Sequence, residues 1–443
     1  MRKLSFTDSQ IIDTLRRVEA GSVEDLIAQT RIHSNAAPWT ALKLALSLDK
    51  DLAKLGFQRA VTVSKSSLAI AGDPHNLSGD DSVPSCFLQE VERRYAESNT
   101  LPQADLARCY LTAAGNEVPT LNLIYANQSV LVETLWLHFL NKYLSYFAPP
   151  EQPTRFSLSL ERSEGHRITR LAVPSMQTEP SRLAGPKVTI LMPVFNAAST
   201  LDFAVRSIIR QTWSNWELML IDDASSDQSL ALCRAWADLS PQIRVLALPR
   251  NRGPYVAKNE GLALATGDYV TVHDADDWAF PTRLSDQLSP LLNSAELKVT
   301  MGLTLRMTSD GFFTRFQPVN WFTKDGAMRW CFPSPLFERS FFESQLGAWD
   351  SVRIGADTEI VQRIRRFAPH RLKILDIPVM LQLDAPDSLT RHPNTYNDSR
   401  GEAPLRTAYR KAWNHWHGSH QSLPRLAYPQ PTRAFEVPPE ILP

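Results

Sequence analysis

Apolar and polar positions along this chain fall into two textures, with a change near residue 187. Upstream, residues 1–147 read as short helices separated by turn signals. A capping start at Ser22-Val23-Glu24-Asp25, a leucine-dense stretch opening at Pro38 and closing at Gly56, and further stretches at 84–98, 102–114 and 130–147 carry that pattern. No fixed-period repeat organises them and nothing there has catalytic spacing, so a mainly α-helical N-terminal domain for interaction or packing is expected. A linker of mixed polarity follows at 148–186, with room for short strands at 155–160 and 167–173.

From residue 187 the pattern becomes an alternation. Continuous apolar runs at 188–194, 216–221, 243–248 and 268–274 have the length and β-branched content of buried strands. Between them lie helical stretches at 201–210, 227–239 and 254–265, the first behind a capping box at Ser199-Thr200-Leu201-Asp202. Such alternation predicts an α/β fold, a mostly parallel sheet flanked by helices. A helix at 360–367, a strand at 372–383 returning to the sheet and an aromatic-rich helix at 402–417 follow, and the Pro-rich tail beyond is expected to be extended or loosely ordered. The domains expected are therefore 1–147 (helical), 148–186 (linker), 187–395 (α/β) and 396–443 (C-terminal helix and tail).

Ligands of open α/β sheets sit beyond the carboxyl ends of the strands. Three such ends are polar here: Pro193-Val194-Phe195-Asn196, Asp222-Asp223, and Asp274-Ala275-Asp276-Asp277. The last is the most charged. On an extended strand end Asp274 and Asp276 share one side, with Asp277 opening the turn beside them. So much negative charge is unfavourable without a cation or strong donors. A divalent ion carrying a diphosphate would suit, because Mg²⁺ takes one or two carboxylates plus phosphate oxygens; a solvated acidic turn is the plainer alternative.

Composition narrows the partners. Lys plus Arg and Asp plus Glu are 47 each, so no global charge points to nucleic acid or an anionic membrane. The cysteines (Cys86, Cys109, Cys233, Cys331) are scattered without a C-x-x-C pair, which argues against a zinc site or a disulfide framework and for a reduced, cytoplasmic setting. No secretory signal is visible. The most apolar segment, 130–147, contains Glu133, His138, Asn141 and Lys142 and is too short to span a bilayer. A peripheral contact at the inner face of the membrane, or a protein contact, through the N-terminal helices stays open.

Several stretches together resemble the nucleotide-sugar-binding domain of family 2 glycosyltransferases, inverting enzymes of the GT-A fold. They are V-T-I-L-M-P-V-F-N at 188–196, S-I-I-R-Q-T-W at 207–213, E-L-M-L-I-D-D-A-S-S-D at 217–227, N-R-G-P-Y-V-A-K-N-E-G-L-A-L-A-T-G-D-Y at 251–269, H-D-A-D-D-W at 273–278 and P-T-R-L at 281–284. The resemblance covers about 186–395 and implies transfer of a sugar from a nucleotide-diphosphate sugar, UDP-linked by expectation, to a carbohydrate-containing acceptor. It implies that Pro193 and Phe195 hold the nucleotide base, that Asp223 accepts a hydrogen bond from a uracil ring, and that Arg252 and Lys258 approach base and phosphate, with Asn259 a weaker candidate. Asp276 and Asp277 match the family's metal (Mn²⁺ or Mg²⁺) and sugar-phosphate carboxylates, and Asp274 sits near ribose or metal. The family carries Gly-Glu-Asp before a helix, whose Asp is the catalytic base. Here the text is Gly355-Ala356-Asp357, so Asp357 takes the base position and the usual Glu is Ala356. Asp350 and Glu359 are fallback bases, and the helix N-cap is the alternative role for Asp357. A loop with Arg391 and His392 is expected over the donor, and the Phe- and Trp-dense stretch 312–349 forms either the acceptor side or ordinary core. A non-catalytic nucleotide-sugar-binding or scaffold protein is the competing class, kept open by Ala356.

Overall fold

In the computed structural model, the residues described are 137, 140–141, 144–152, 154–161, 165–173, 185–309, 311, 322–324, 327–384 and 403–443. Most of 1–147, and the loop with Arg391 and His392, therefore lie outside them. Residues 137, 140–141 and 144–145 are helical, and Asn141 pairs through both amide atoms with the backbone of Leu158. Short strands stand at Ser159–Leu160 and Leu171–Ala172, inside the expected linker. The chain divides into two compact units, one comprising Met1–Leu160 with Arg306–Arg329 and the other Glu161–Leu305 with Trp330–Pro443. The second carries the polar strand ends.

Its first half alternates as the pattern requires: β1 (Val188–Val194), α1 (Leu201–Ile209), β2 (Trp216–Asp222), α2 (Ser229–Leu239), β3 (Ile243–Ala247), α3 (Pro254–Leu262) and β4 (Tyr269–Val272). Then come β5 (Asp277–Ala279), α4 (Arg283–Leu292), β6 (Val299–Met307), β7 (Arg329–Trp330), β8 (Leu336–Glu338), α5 (Ala356–Phe367), β9 (Leu372–Leu383) and α6 (Pro404–Gly418). The strands form one sheet in the order β3-β2-β1-β4-β8-β6-β9-β5, with β7 added to β6. β3, β2, β1 and β4 run parallel, whereas β8 joins β4 and β6 antiparallel and β9 joins β5 antiparallel. The fold is thus the expected α/β class, with an antiparallel extension that the sequence pattern did not announce.

Alternate residues of the parallel strands feed two cores, which is why the strands read as unbroken apolar runs. Ile190, Met192, Val194, Leu218 and Leu220 pack with α1, α2 and α4. Leu191, Met219, Ile221, Val270 and Val272 pack with α3, α5 and α6. Gly261 lets α3 sit close on the sheet: a Cβ there would stand 2.5 Å from Ile221 Cδ1 and 3.1 Å from Leu191 Cδ2.

One carboxylate clamps the amino ends of three neighbouring strands. Glu217 accepts from the Thr189 hydroxyl (2.6 Å), the Thr266 amide (2.7 Å) and hydroxyl (2.8 Å) and Lys187 Nζ (2.9 Å). Burial alone would raise its pKa; these donors outweigh burial and bring it down to about 2.

Four local expectations are corrected. The capping box does not form: Thr200 is the N-cap of α1, it makes no side-chain capping bond, and its hydroxyl donates to the Ala197 carbonyl. β4 stops at Val272, so Asp274 and Asp276 lie in a turn closed by Asp277 N–H to the Asp274 carbonyl (3.2 Å), and strand alternation does not orient them. Asp277 begins β5 instead of opening a turn. The Pro-rich tail is also packed: Leu426 and Ile441 are buried, and Arg433 grips the Asp350 carboxylate at 2.6 and 2.7 Å.

Candidate functional site

Helix α3 is the spine of the site at the carboxyl ends of β1, β2 and β4. Asp223, just past β2, is buried and accepts from the amides of Arg252 (2.9 Å) and Gly253 (2.7 Å). Gly253 is the N-cap of α3 with φ of 85°, a conformation that favours glycine, and a Cβ there would meet Arg353 Cγ at 3.1 Å. Burial pushes the Asp223 carboxyl above its ordinary pKa, against the pull of the two amides and Arg353.

Tyr255 and Lys258, three apart, share one face of α3. The Tyr255 hydroxyl stands near the Asp357 carboxylate; burial, and then the charge of Asp357, hold the phenol well above its ordinary pKa, so Tyr255 keeps its proton. Lys258 Nζ lies 4.9 Å from the Tyr255 ring centroid and 3.2 Å from Asp274 Oδ1. The Lys258 side chain is 4% exposed and that of Asp274 30%, so the ammonium is withdrawn while its partner reaches solvent. Asp357, Tyr255, Lys258 and Asp274 thus stand in succession as a polar chain of neighbours between the expected base and the acidic turn, with the Lys258–Asp274 ion pair as its direct bond.

Asp357 is the second residue of α5; the N-cap is Gly355, at φ of 79°. Its Oδ1 also accepts from the Thr358 amide at 2.7 Å. Ala356 is fully buried in the core shared with α3 and α6, so the family's Glu would have no open position here.

Beneath the acidic turn lies a buried layer. Arg283 donates to His273 Nδ1 (3.0 Å), to the Thr271 hydroxyl (2.9 Å) and to the Val272 carbonyl (2.7 Å). His273 Nδ1 must then be an acceptor, leaving Nε2–H to donate to the Asp277 carbonyl at 3.1 Å. Burial and the neighbouring Arg283 both hold the imidazole neutral, with its pKa well below the ordinary value. The Asp277 carboxylate is buried and accepts from Gln382 Nε2 and from the Leu383 amide, each at 3.1 Å.

The carboxylates can be tested against a divalent ion. Among the described residues no group of three or more His, Cys, Asp or Glu is arranged as a metal cage. Asp274 and Asp276, both half-buried in the turn, fit an ion whose shell is completed by phosphate oxygens. Asp277 would first have to give up its bonds to β9.

Residues 189–333 match the family model described as "Glycosyl transferase family 2". That stretch of the chain is similar to family 2 glycosyl transferases. Among curated relatives it is 32% identical over 188 residues to the "Succinoglycan biosynthesis protein ExoO" of Rhizobium meliloti, spanning 39% of this chain and 53% of that one. It is 33% identical over 107 residues to the "UDP-Glc:alpha-D-GlcNAc-diphosphoundecaprenol beta-1,3-glucosyltransferase WfgD" of Escherichia coli, spanning 24% of this chain and 42% of that protein. About half or less of each relative is thus matched. A solved structure of S. aureus TarS 1-349 in complex with UDP aligns at 16% identity and a TM-score of 0.37, over 45% of this chain and 61% of that one.

The other expected site residues fall as follows. Phe195 is 50% exposed at the end of β1, beside half-buried Pro193. Asn196 has φ of 48°, and its side chain accepts from the Ser226 amide at 2.8 Å, tying the β1 and β2 ends together. Arg252 reaches Glu260 at 3.4 Å. Asn259 uses both amide atoms on the Trp349 backbone, a packing role. The fallback bases are committed elsewhere: Asp350 to Tyr409 and Arg433, and Glu359, fully buried, to Arg363 (3.1 Å) and His417 (2.9 Å). Of the aromatic stretch, Phe337, Phe341 and Phe342 are core, with Phe337 edge-on to Phe342 at 4.9 Å; Phe316 and Trp321 lie outside the described residues. Sequence reasoning gave no role to Tyr255, His273 or Arg283, although each lies inside a quoted motif.

Proposed function

We propose that this chain is an inverting glycosyltransferase that moves a sugar from a nucleoside-diphosphate sugar, UDP-linked in the first instance, to a hydroxyl of a carbohydrate-containing acceptor. The observation that carries this reading is the polar chain Asp357–Tyr255–Lys258–Asp274 along α3. It brings one carboxylate suited to proton removal to the same helix as a carboxylate and ammonium suited to a diphosphate.

In this reading the exposed Phe195 ring stacks on the base, and the Asp223-held loop at 251–253 lines the nucleotide side. Lys258 stands where it can exchange Asp274 for a phosphate oxygen. Asp357, held by the Thr358 amide with the Tyr255 hydroxyl beside it, takes the proton of the acceptor hydroxyl as that oxygen attacks the anomeric carbon. The C–O bond to the diphosphate breaks on the opposite face, so configuration inverts. A divalent ion held by Asp274 and Asp276, when bound, supplies Lewis-acid stabilisation of the leaving group. The relatives' names support a setting in surface polysaccharide assembly. Among the described residues no helix is long and apolar enough to cross a membrane; a peripheral position at the cytoplasmic face is part of the proposal.

The test is a panel of UDP- and GDP-sugars with Mn²⁺ or Mg²⁺, read as slow donor hydrolysis and as UDP binding. Hydrolysis that chelator abolishes, and that Asp357→Asn removes while UDP still binds, supports the enzyme. Tight nucleotide-sugar binding without turnover under any condition would favour the non-catalytic alternative.

A further inference from the structure

One guanidinium joins two loops on opposite flanks of the site. Arg353 donates through one terminal nitrogen to Asn251 Oδ1 and through the other to the Asn251 carbonyl (3.2 Å). Its Nε donates to the Leu442 carbonyl (3.1 Å) and its backbone N–H to the Ile441 carbonyl (2.7 Å). Ile441 is itself buried in the core shared by α3, α5 and α6. The side chain of Arg353 also packs on Gly253, whose amide is held by Asp223. Only four positions later in the chain comes Asp357.

We propose that Arg353 is a positioning residue: it locks the 251–253 loop to the segment that carries Asp357, and the carbonyls of Ile441 and Leu442 hold it in place. The planar fork is what the arrangement uses, since its nitrogens bond divergent acceptors at fixed angles, which a lysine ammonium on a flexible stem cannot reproduce. The C-terminal tail, outside the matched family region, thereby helps set the spacing between the nucleotide side and the proton acceptor. The consequence for catalysis rests on the function proposed above; the lock itself does not.

Hydrogen exchange in the full chain tests the lock without any substrate. Arg353→Ala, Arg353→Lys and Ile441→Asp are compared with the wild type at the Arg252 and Gly253 amides, with β1 amides as the internal reference. The expected result is exchange about ten-fold faster or more at those two amides, the size of one hydrogen bond's worth of protection, with β1 unchanged. Unchanged exchange at both amides in any variant that keeps β1 protected overturns the proposal. So does loss of β1 protection in all three, which would make Arg353 a general packing residue. UDP titration adds the second readout. Arg353→Ala and Arg353→Lys, with loosened amides, should bind UDP about ten-fold more weakly while keeping the wild-type melting temperature within a few degrees. If the wild type binds UDP and these variants bind it equally tightly, the positioning role falls; if the wild type binds no nucleotide, the functional reading falls and the exchange data still decide the lock.

Discussion

Glu217→Gln isolates the contribution of the clamp at the amino ends of β1, β2 and β4. In the folded chain the Glu217 pKa stands at about 2, against an ordinary 4.5. A carboxylate with a depressed folded pKa contributes stability that is fully present above its unfolded pKa and is lost as pH falls through the folded one. With about 1.4 kcal/mol per pKa unit, the increment at neutral pH is about 3 kcal/mol. The side chain is 4% exposed, so solvent screening takes little from that figure. The wild type should therefore exceed Glu217→Gln by about 3 kcal/mol at pH 7, and the gap should shrink to about 2 kcal/mol near pH 3.5 and close further toward pH 2. Urea unfolding followed by tryptophan fluorescence reads this, since Trp216 neighbours the clamp. A gap of the same size at pH 7 and at pH 3.5 would refute the reasoning, because it would mean that the ionised state of Glu217 is not what stabilises the strand ends.

Tyr255→Phe removes the hydroxyl that stands beside Asp357 and should lower kcat by about 10-fold or more, the size of one hydrogen bond to a charged group formed during proton transfer, with little change in UDP affinity; an unchanged kcat would dissociate Tyr255 from the base. Asp276→Asn should abolish the Mn²⁺-dependent part of UDP binding, read by calorimetry with and without chelator. Asp277→Asn should instead lower the melting temperature, because Gln382 and Leu383 donate to different carboxylate oxygens and one of these becomes a donor, and it should weaken UDP binding less than Asp276→Asn does. The reverse ranking would return the metal to Asp277. Gly261→Ala should destabilise by about 1–3 kcal/mol, the cost of overpacking against Ile221 and Leu191, measured by thermal unfolding.

The parallel half of the sheet was legible because strands covered on both faces leave unbroken apolar runs, and β1 to β4 with their helices stand where those runs lie. Of the antiparallel half, β9 stands where a returning strand was expected, and the rest was not legible. β5 is three residues, and α4 and β6 carry polar groups (Arg283, Gln287, Thr300) that satisfy one another inside the protein, which hides their burial from a hydropathy reading. The candidate site divides in the same way. Asp223, Lys258, Asp274 and Asp357 could be marked from motif position, and all now connect through α3. Motif position said nothing of which carboxylates were already spoken for. Asp277, Asp350 and Glu359 looked as available as Asp357 in the sequence, yet each accepts hydrogen bonds from donors up to a hundred residues away. The tail misled for a related reason: proline content suggested a loose segment, while its order comes from Arg433, Leu426 and Ile441 meeting partners on other elements.

Those ion pairs have a practical meaning for how the molecule can be divided. The match to the family model ends at residue 333, and a boundary near 395 looks natural in the sequence. A fragment cut there would leave Asp350 without Tyr409 and Arg433, stranding a buried carboxylate at about 3–5 kcal/mol, and would leave Glu359 with Arg363 alone once His417 is gone. The second compact unit runs on through Pro443 accordingly. Shared ancestry marks out one segment of this chain and charge neutrality another, and the second decides which pieces can be expressed alone.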